Sequence, residues 1–411
     1  MIGTSHAGDD SAVAGVPTGV SQELSVLITQ GKNKQSLALT RALGRRGHTV
    51  TVGSSTRLAR TFASRYCEET FRYTPPEEDE RAFLEDLSAV VREGSFDLLV
   101  PAGESTVVPI ARERDALSRF TTVPVVDWET LQLAHDKERT IDLARRLGVP
   151  VPETYVPSST EELGALAEDL EYPVVVKLRK GVGGVGLRHA AGPDELLEVY
   201  DERGESNAIF DYRRPLVQEH VPGTVHDVNC LFERGEPRAV LVQKRVLCSP
   251  PSGGIGVVNE TVRNPELAEY ATEILGHLDW HGIGQVEFVV DERDGSPKLM
   301  EINPRLWGTF ELALAAGVDF PGLLCELAGN GTARPTLEYR SGVRFVWFDV
   351  PMMTSFWRSE RPFARALTIA RDLADGAETN LSLTDPLPMA TRAIHAGTLG
   401  LRAAASRFDQ R

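Results

Sequence analysis

The chain has 411 residues, of which 41% are hydrophobic and 25% charged, with a net charge of -15 from 44 basic and 59 acidic side chains. Length predicts two or three domains, and the composition excludes extended disorder, collagen-like structure and a disulfide scaffold. The acidic balance excludes duplex DNA, RNA and anionic membrane as partners, and no apolar run reaches the roughly 18 residues needed to span a bilayer.

The opening stretch MIGTSHAGDDSAVAG has neither a basic start nor an apolar run, so residues 1–23 read as a flexible tail rather than a leader. Cys67, Cys230, Cys248 and Cys325 show no paired spacing, which predicts reduced thiols in a cytoplasmic protein. Only seven of the 44 basic residues are Lys, so each one merits inspection. In chain order, the apolar run 24–30 predicts a strand, residues after Gly31 a helix, and TVTVGSS a second strand. A helix over 81–93, a strand over 96–101, a helix over 105–117 and a strand over 123–127 continue the alternation, giving a parallel α/β unit over 24–127. The loop GKNKQS is not a dinucleotide fingerprint.

A second unit begins at Trp128. WETLQLAHDKERTIDLARRLG has helical spacing up to Gly148, and VPVPETYVPSS reads as a linker. A helix over 160–170, a strand over 172–178, the loop GVGGVGL and a helix over 193–203 follow. Strands are predicted over 215–221, 225–233 and 237–246, then a mobile loop over 249–260. A helix over 265–278 leads into strands over 282–291 and 297–305. The last region opens with a strand, VRFVWFDV, and carries two weaker helices.

The chemistry gathers on the last strand pair. Each of those two strands sets one carboxylate, Glu287 or Glu301, among apolar residues, and two buried acids require a cation. Alternation puts Glu301, Asn303 and Arg305 on one face. Hard oxygen ligands on Glu287, Glu301 and Asn303 suit Mg²⁺ with nucleotide phosphates, and Arg305 suits a phosphate oxygen. Two solvent-facing acids on an edge hairpin are the bland alternative. Lys177 leads into a glycine run whose N–H groups can fold over phosphates, although such a run also occurs as a plain turn. The segment Gln218–Glu219–His220–Val221 offers backbone and carboxylate groups to a nucleobase edge, with His226 or Asp227 near a ribose. Nine His without HxH or HExxH spacing argue against zinc. Glu104, just after a strand, fits either a ligand position or a helix N-terminal acid, and Trp307 fits packing.

Taken in order, Lys137, Lys177 with its Gly-rich loop, QEHVPG, Gln243-Lys244-Arg245, GQVEF and MEINPR resemble the ATP-grasp superfamily. The resemblance covers roughly residues 25–335, is most specific in MEINPRLWGTFELALAAGVDFPGLL, and is similar to carboxylate–amine ligases related to the carbamoyl-phosphate synthetase large subunit and biotin carboxylase. It implies an α/β ATP-grasp fold: a Rossmann-like front domain (24–127), an ATP-grasp domain (128–335) with a small subdomain near 150–220, and an extension (336–411). By the family pattern Lys137, Lys177 and the loop residues Gly181, Gly183, Gly184 and Gly186 contact ATP phosphates. Gln218, Glu219, His220 and Val221 take adenine, and Asp227 the ribose. Glu287, Glu301 and Asn303 hold Mg²⁺, with Mn²⁺ the substitute, and Arg305 sits at the reacting phosphate. The stretch GTVHDV departs from the pattern by lacking a Glu after its Pro-Gly.

The implied reaction joins a small-molecule carboxylate to an amine through an acyl phosphate. Lys244 and Arg245 are candidates for the substrate carboxylate, with a solvated strand end as the alternative, and loops 30–35 and 101–105 for the second substrate's pocket. A carboxylase or carboxylate kinase on the same fold, and a non-catalytic nucleotide-binding protein, are the competing readings. A homodimer is the default assembly.

Overall fold

The computed structural model describes residues 22–181, 186–200, 214–249, 254–357, 359 and 361–391. The front unit contains β1 (Ser25–Ile28), α1 (Lys34–Gly44), β2 (Thr49–Ser54), β3 (Glu69–Arg72), α2 (Glu80–Glu93) and β4 (Leu98–Val100). Its strands form a parallel sheet in the order β3-β2-β1-β4. Val26, Leu27 and Ile28 are all fully buried, as expected of a parallel strand covered on both faces.

Three expectations for this half need correction. The helix expected over 105–117 is two, α3 (Glu104–Arg112) and α4 (Arg114–Leu117), parted where Glu113 leaves helical geometry. No strand forms over 123–127; only Thr122 bridges to Leu98. Pro124 has no N–H to give a sheet neighbour, and its carbonyl instead lies against Gly282. The long helix expected from Trp128 is α5 (Trp128–His135) and α6 (Lys137–Arg146). Asp136 parts them: its backbone is extended and its carboxylate accepts from the Glu138 and Arg139 amides as an N-cap.

Next come β5 (Thr154–Tyr155), α7 (Thr160–Asp169), β6 (Val174–Lys177), β7 (Arg188–Ala190), α8 (Pro193–Tyr200) and β8 (Leu216–Glu219). Here the expected linker contributes β5. The strands form an antiparallel sheet in the order β5-β8-β6-β7, with Leu163, Val174, Val176, Leu196 and Val217 at its core.

The remaining elements are β9 (Gly223–Glu233), β10 (Glu236–Ser249), β11 (Ile255–Thr261), α9 (Pro265–His277), β12 (Gly282–Asp291), β13 (Pro297–Asn303), α10 (Phe310–Ala315), α11 (Phe320–Asn330), β14 (Arg344–Val346), α12 (Val350–Trp357), α13 (Pro362–Ala374) and β15 (Glu378–Thr379). Seven strands form one sheet in the order β13-β12-β9-β10-β11-β14-β15. The loop expected over 249–260 is therefore overturned for its second half: β11 is an inner strand pairing with β10 and β14. Its β-branched run, Val257, Val258 and Thr261, outweighs the preceding glycines.

Alternation sorts this sheet into two faces. On one, Val228, Cys230, Phe232, Val242, Val286 and Phe288 pack on Leu267, Ala271 and Ile274 of α9. On the other, Leu231, Ala239, Leu241 and Ile283 pack on Trp307, Phe310 and Phe320. The C-terminal region is clasped to the front unit. Arg41 on α1 donates to Asp385 at 2.8 Å and to the Asn380 and Asp385 carbonyls, while Ser64 and the Arg65 amide complete the Asp385 carboxylate. Among the described residues, no helix is long and apolar enough to cross a membrane.

Gly282 joins the two halves. Its φ is +92°, and an added Cβ would stand 1.9 Å from the Pro124 carbonyl oxygen. Gly282→Ala therefore combines left-handed strain with a backbone clash that no side chain can relieve. The expected outcome is a thermal midpoint lowered by about 5 °C or more, read by circular dichroism; an unchanged midpoint contradicts the close approach.

Candidate active site

The antiparallel register places Glu301 beside Glu287, Glu287 beside Asp227, and Asp227 beside Gln243. Cross-strand partners share a face, so three carboxylates form one row across β13, β12 and β9. Each is largely buried. At an effective dielectric near 20, two unit charges 4 Å apart repel by about 4 kcal/mol, so such a row needs cations. It has them. Arg245 reaches across the sheet to Asp227 at 2.7 Å and also bonds Glu287. Lys137 lies 3.4 Å from Glu301 and donates to the Gly181 carbonyl at 3.1 Å.

The two paired acids are set apart by these neighbours. Burial pushes Glu287 up to about 7; Arg245 opposes this, and the Glu301 and Asp227 charges add to it. Glu301 is held below the usual carboxylate range. Burial works against its ionisation but is outweighed by Lys137, the Asn303 N–H, Arg305 and Lys177. Lys177, 9% exposed at the end of β6, is pulled down to about 8 by burial, with Glu301 opposing and Lys137 adding.

Two residues further along these strands, on the same face, is a ladder of amides. Gln285 donates to Asn229 at 3.0 Å, and Asn303 donates to Glu301 at 3.1 Å. The Asn303 carbonyl accepts from Arg305 at 3.0 Å, Arg305 Nε donates to Glu104 at 2.9 Å, and Glu104 bonds His135. This path carries the site from the large sheet to the N-terminus of α3 and the end of α5. Burial opposes ionisation of Glu104, but His135 and Arg305 hold it down at about 2.

The geometry brings together Lys137, Lys177, Arg245, Glu287, Glu301, Asn303 and Arg305. It corrects three other expectations. Lys244 alternates to the opposite face, where it pairs with Glu260 at 3.3 Å beside Arg344, so it does not reach the site. Asp227 is 1% exposed and bonded to Arg245 and Gln243, which leaves no carboxylate oxygen facing a ribose. The Glu219 carboxylate is engaged by Lys298 at 2.9 Å, by Arg293 and by the Glu153 amide, so its side chain serves the protein rather than a base. Gln218 is buried and donates to Thr154 at 2.8 Å, His220 lies edge-on to His189, and Val221 is in the short connection before β9. Gly181 and Gly186 bracket the glycine loop, with Gly186 at φ +71°; Gly183 and Gly184 lie outside the described residues. The front loops 30–35 and 101–105 knit to each other: Gln30 bonds Ser105 and Asn33, and Gln35 donates to the Ala102 carbonyl.

The residue set fits a hard dication that keeps several positions for phosphate and water. Glu287 and Glu301 face each other as a pair in which burial disfavours the charge on Glu287, a place where a dication neutralises both. Among the described residues no cluster of three or more His, Cys, Asp or Glu is shaped for a metal. The Asn303 side-chain oxygen accepts from Arg305 while its amide nitrogen donates to Glu301, so the nitrogen is the atom turned to the acid pair here. His135, Gln285 and Asn229 escaped sequence reasoning. Alternation from Glu287 to Gln285 and from Asp227 to Asn229 was the available signal.

Residues 211–351 match the family described as ATP-grasp in the biosynthetic pathway with Ter operon. The N-terminal section of the carbamoyl phosphate synthase large chain of Methanopyrus kandleri is 26% identical over 311 residues, 68% of this chain and 54% of that one. Biotin carboxylase of Nostoc sp. is 27% identical over 192 residues, 43% of this chain and 42% of that one. The chain thus spans about half or less of the length of these relatives. Among solved structures, the biotin carboxylase domain dimer of Hydrogenobacter thermophilus 2-oxoglutarate carboxylase, a complex with MgADP, ADP and bicarbonate, superposes with a TM-score of 0.63 at 19% identity, covering 79% of this chain and 74% of that one. L-amino acid ligase from Bacillus licheniformis gives 0.57 at 18% identity, with 77% and 78% covered. The chain carries an ATP-grasp domain with homology to the carbamoyl phosphate synthase large chain and to biotin carboxylase.

Proposed function

We propose that the chain is an ATP-dependent ligase that joins a carboxylate to an amine through an acyl phosphate. The observation that carries the reading is the largely buried row Glu301–Glu287–Asp227 with Lys137, Lys177, Arg245 and Arg305 around it. A binding module needs no such density of paired charge, whereas phosphoryl transfer is catalysed by positioning and charge stabilisation. No covalent nucleophile is required, and the buried Cys230 and Cys325 thiols are held well above the reactive range.

Glu287 and Glu301 would hold Mg²⁺, with Asn303 beside them. The metal, when bound, supplies charge neutralisation on the phosphate oxygens. Lys177 and Lys137, reaching the row from β6 and α6, would bind phosphate oxygens, aided by the backbone around Gly181 and Gly186. With the Glu219 side chain engaged elsewhere, adenine falls to the backbone of residues 219–221. Arg305, held in orientation by Glu104 and Asn303, would steady the substrate carboxylate as its oxygen attacks the γ-phosphorus and the bond to ADP breaks. The ammonium of the second substrate, having lost one proton to solvent, then attacks the acyl carbon as the neutral amine. A C–N bond forms, the C–O bond to phosphate breaks, and the second amine proton leaves with the phosphate.

The test is release of ADP and phosphate with Mg-ATP across carboxylic acids crossed with amines, bicarbonate included. Release that requires one acid and one amine, with a product mass equal to their sum less water, establishes the ligase. Release with an acid alone replaces it with a kinase or carboxylase. Absence of release across the matrix, despite tight ATP binding, moves the reading to a regulatory protein.

A further inference from the structure

Past Arg245, the same face of the large sheet carries polar groups that the acid row does not use. Asn259 on β11 lies opposite Arg245 on β10 and Phe345 on β14, so its side chain shares their face. It is fully buried, and neither amide atom has a protein partner. Gly256 makes room for it: an added Cβ there would stand 2.1 Å from Asn259 Oδ1. Two residues before Arg245, Gln243 is also fully buried, and its Oε1 has no partner. Its orientation is fixed, because its amide nitrogen donates to Asp227 at 2.9 Å and to Thr309 at 2.6 Å. Turning the amide would set its oxygen against the Asp227 carboxylate. Two open oxygens, Gln243 Oε1 and Asn259 Oδ1, therefore sit beside Arg245 with the Asn259 amide nitrogen, each desolvated without a partner.

The seam continues away from the acids. Gly308, next to Thr309, approaches the Lys34 stem, and Lys34 stands 4.8 Å over the Trp347 ring and 3.8 Å from Asp349. The Trp347 indole donates to Glu311 at 3.0 Å, and Asp349 Oδ1 is a further buried oxygen without a partner. Leu312, Phe345 and Trp347 give this end an apolar wall. Three elements of different origin converge here: α1 of the front unit, β11 with α10, and the stretch after β14.

Resting on the ligase reading, we propose that this seam is the site of the second substrate, a primary amine, with its nitrogen at Asn259 and Gln243 beside Arg245 and its carbon body toward Trp347. The chemistry selects the ligand. Along the seam the buried oxygens without a hydrogen-bond partner are Gln243 Oε1, Asn259 Oδ1 and Asp349 Oδ1, against the Asn259 amide nitrogen, while the Lys34 ammonium is paired with Asp349; an ammonium brings three N–H donors. A carboxylate would place its charge against Gln243 Oε1, Asp349 and Glu311. The location suits the reaction, because Gln243 also touches the acid row through Asp227.

The test uses the full chain and separates the two half-reactions. Acid-driven exchange of the bridge oxygen in labelled ATP reads acyl phosphate formation without any amine. Amide formation is then titrated with ammonium, ethanolamine, putrescine and the common L-amino acids. In Asn259→Ala the amine KM is expected to rise about ten-fold, the value of one buried hydrogen bond, with exchange changed less than two-fold. Asn259→Ser serves as a smaller polar replacement if the Ala variant loses exchange. An unchanged amine KM, or a loss of exchange in both variants, overturns the proposal. A wild-type protein that shows no exchange with any acid fails the ligase reading instead, and the amine site falls with it.

Discussion

Glu301→Gln is expected to lower Mg-ATP turnover by at least about a hundredfold, the usual scale for removing one charged group that acts in the transition state. Gln keeps the shape of the side chain and deletes its charge. Glu301 is the acid of the pair that stays ionised: Lys137 stands 3.4 Å away and Asn303 donates to it. Its partner Glu287 is pushed up to about 7 by burial, so its charge is the less secure of the two. The variant thus removes the one secure negative charge from the pair. In the protein without nucleotide the cost is smaller. Lys137 loses its carboxylate but keeps the Gly181 carbonyl, while Glu287 is relieved of a like charge. The thermal midpoint is expected to stay within a few degrees of wild type, since these changes oppose each other. Steady-state ADP release and a melting curve on one preparation check both halves. Retained turnover removes Glu301 from the metal site.

The sequence signals differed in kind between the two halves of the site. Glu287 and Glu301 stood out because an acid inside an apolar strand is costly, and alternation fixed which neighbours shared their face. Their opposition across β12 and β13 follows from the short turn between those strands. Arg245 against Lys244 could not be resolved that way, because a strand end with adjacent cations gives no hint of which one faces in. The register of β10 with β9 decides it: Gln243 and Arg245 lie with Asp227, and Lys244 lies with His226 and Glu260. The cost of a buried carboxylate also explains why Asp227 is not a sugar ligand. Placed in the row, it needs Arg245 for itself.

Long-range placement was less legible. The helix break at Asp136 is a local event with a local signal, an Asp able to cap the helix that follows. Its consequence is distant: it sets Lys137 at the first turn of α6, where the amide bonds the Arg179 carbonyl and the side chain meets Glu301. The role of β11 was hidden by glycines and prolines ahead of it. The pairing of Asn259 with Arg245 and Phe345 joins strands that are not neighbours in sequence, so no periodic pattern could reveal it. The clasp of Asp385 on Arg41 spans 344 residues and has no sequence signature.

Glu104→Gln is expected to strip the protein of a pH-dependent share of its stability and to loosen Arg305. Glu104 is 7% exposed and its carboxyl is held near 2 against an ordinary 4.5, because His135 and Arg305 outweigh burial. A depressed carboxyl stabilises the fold at pH values above its unfolded pKa. That contribution is lost as pH falls from about 4.5 towards about 2. Its ceiling is about 3 kcal/mol, from 1.36 kcal/mol per pKa unit. Wild type is therefore expected to melt above the variant at neutral pH, with a gap that narrows below about pH 4.5 and closes as Glu104 takes up its proton. Thermal midpoints of both proteins from pH 7 downward read this directly, and a gap that stays constant through the acid range contradicts an ionised Glu104. The kinetic consequence is separate. Arg305 Nε would keep a neutral acceptor in place of a carboxylate, so the guanidinium stays in the site but with less hold on its orientation. Turnover should fall mainly in kcat with little change in the KM for ATP, because the proposed function gives the nucleotide phosphates to Lys137 and Lys177. A variant that raised the ATP KM alone would place Arg305 at the nucleotide rather than at the carboxylate being activated.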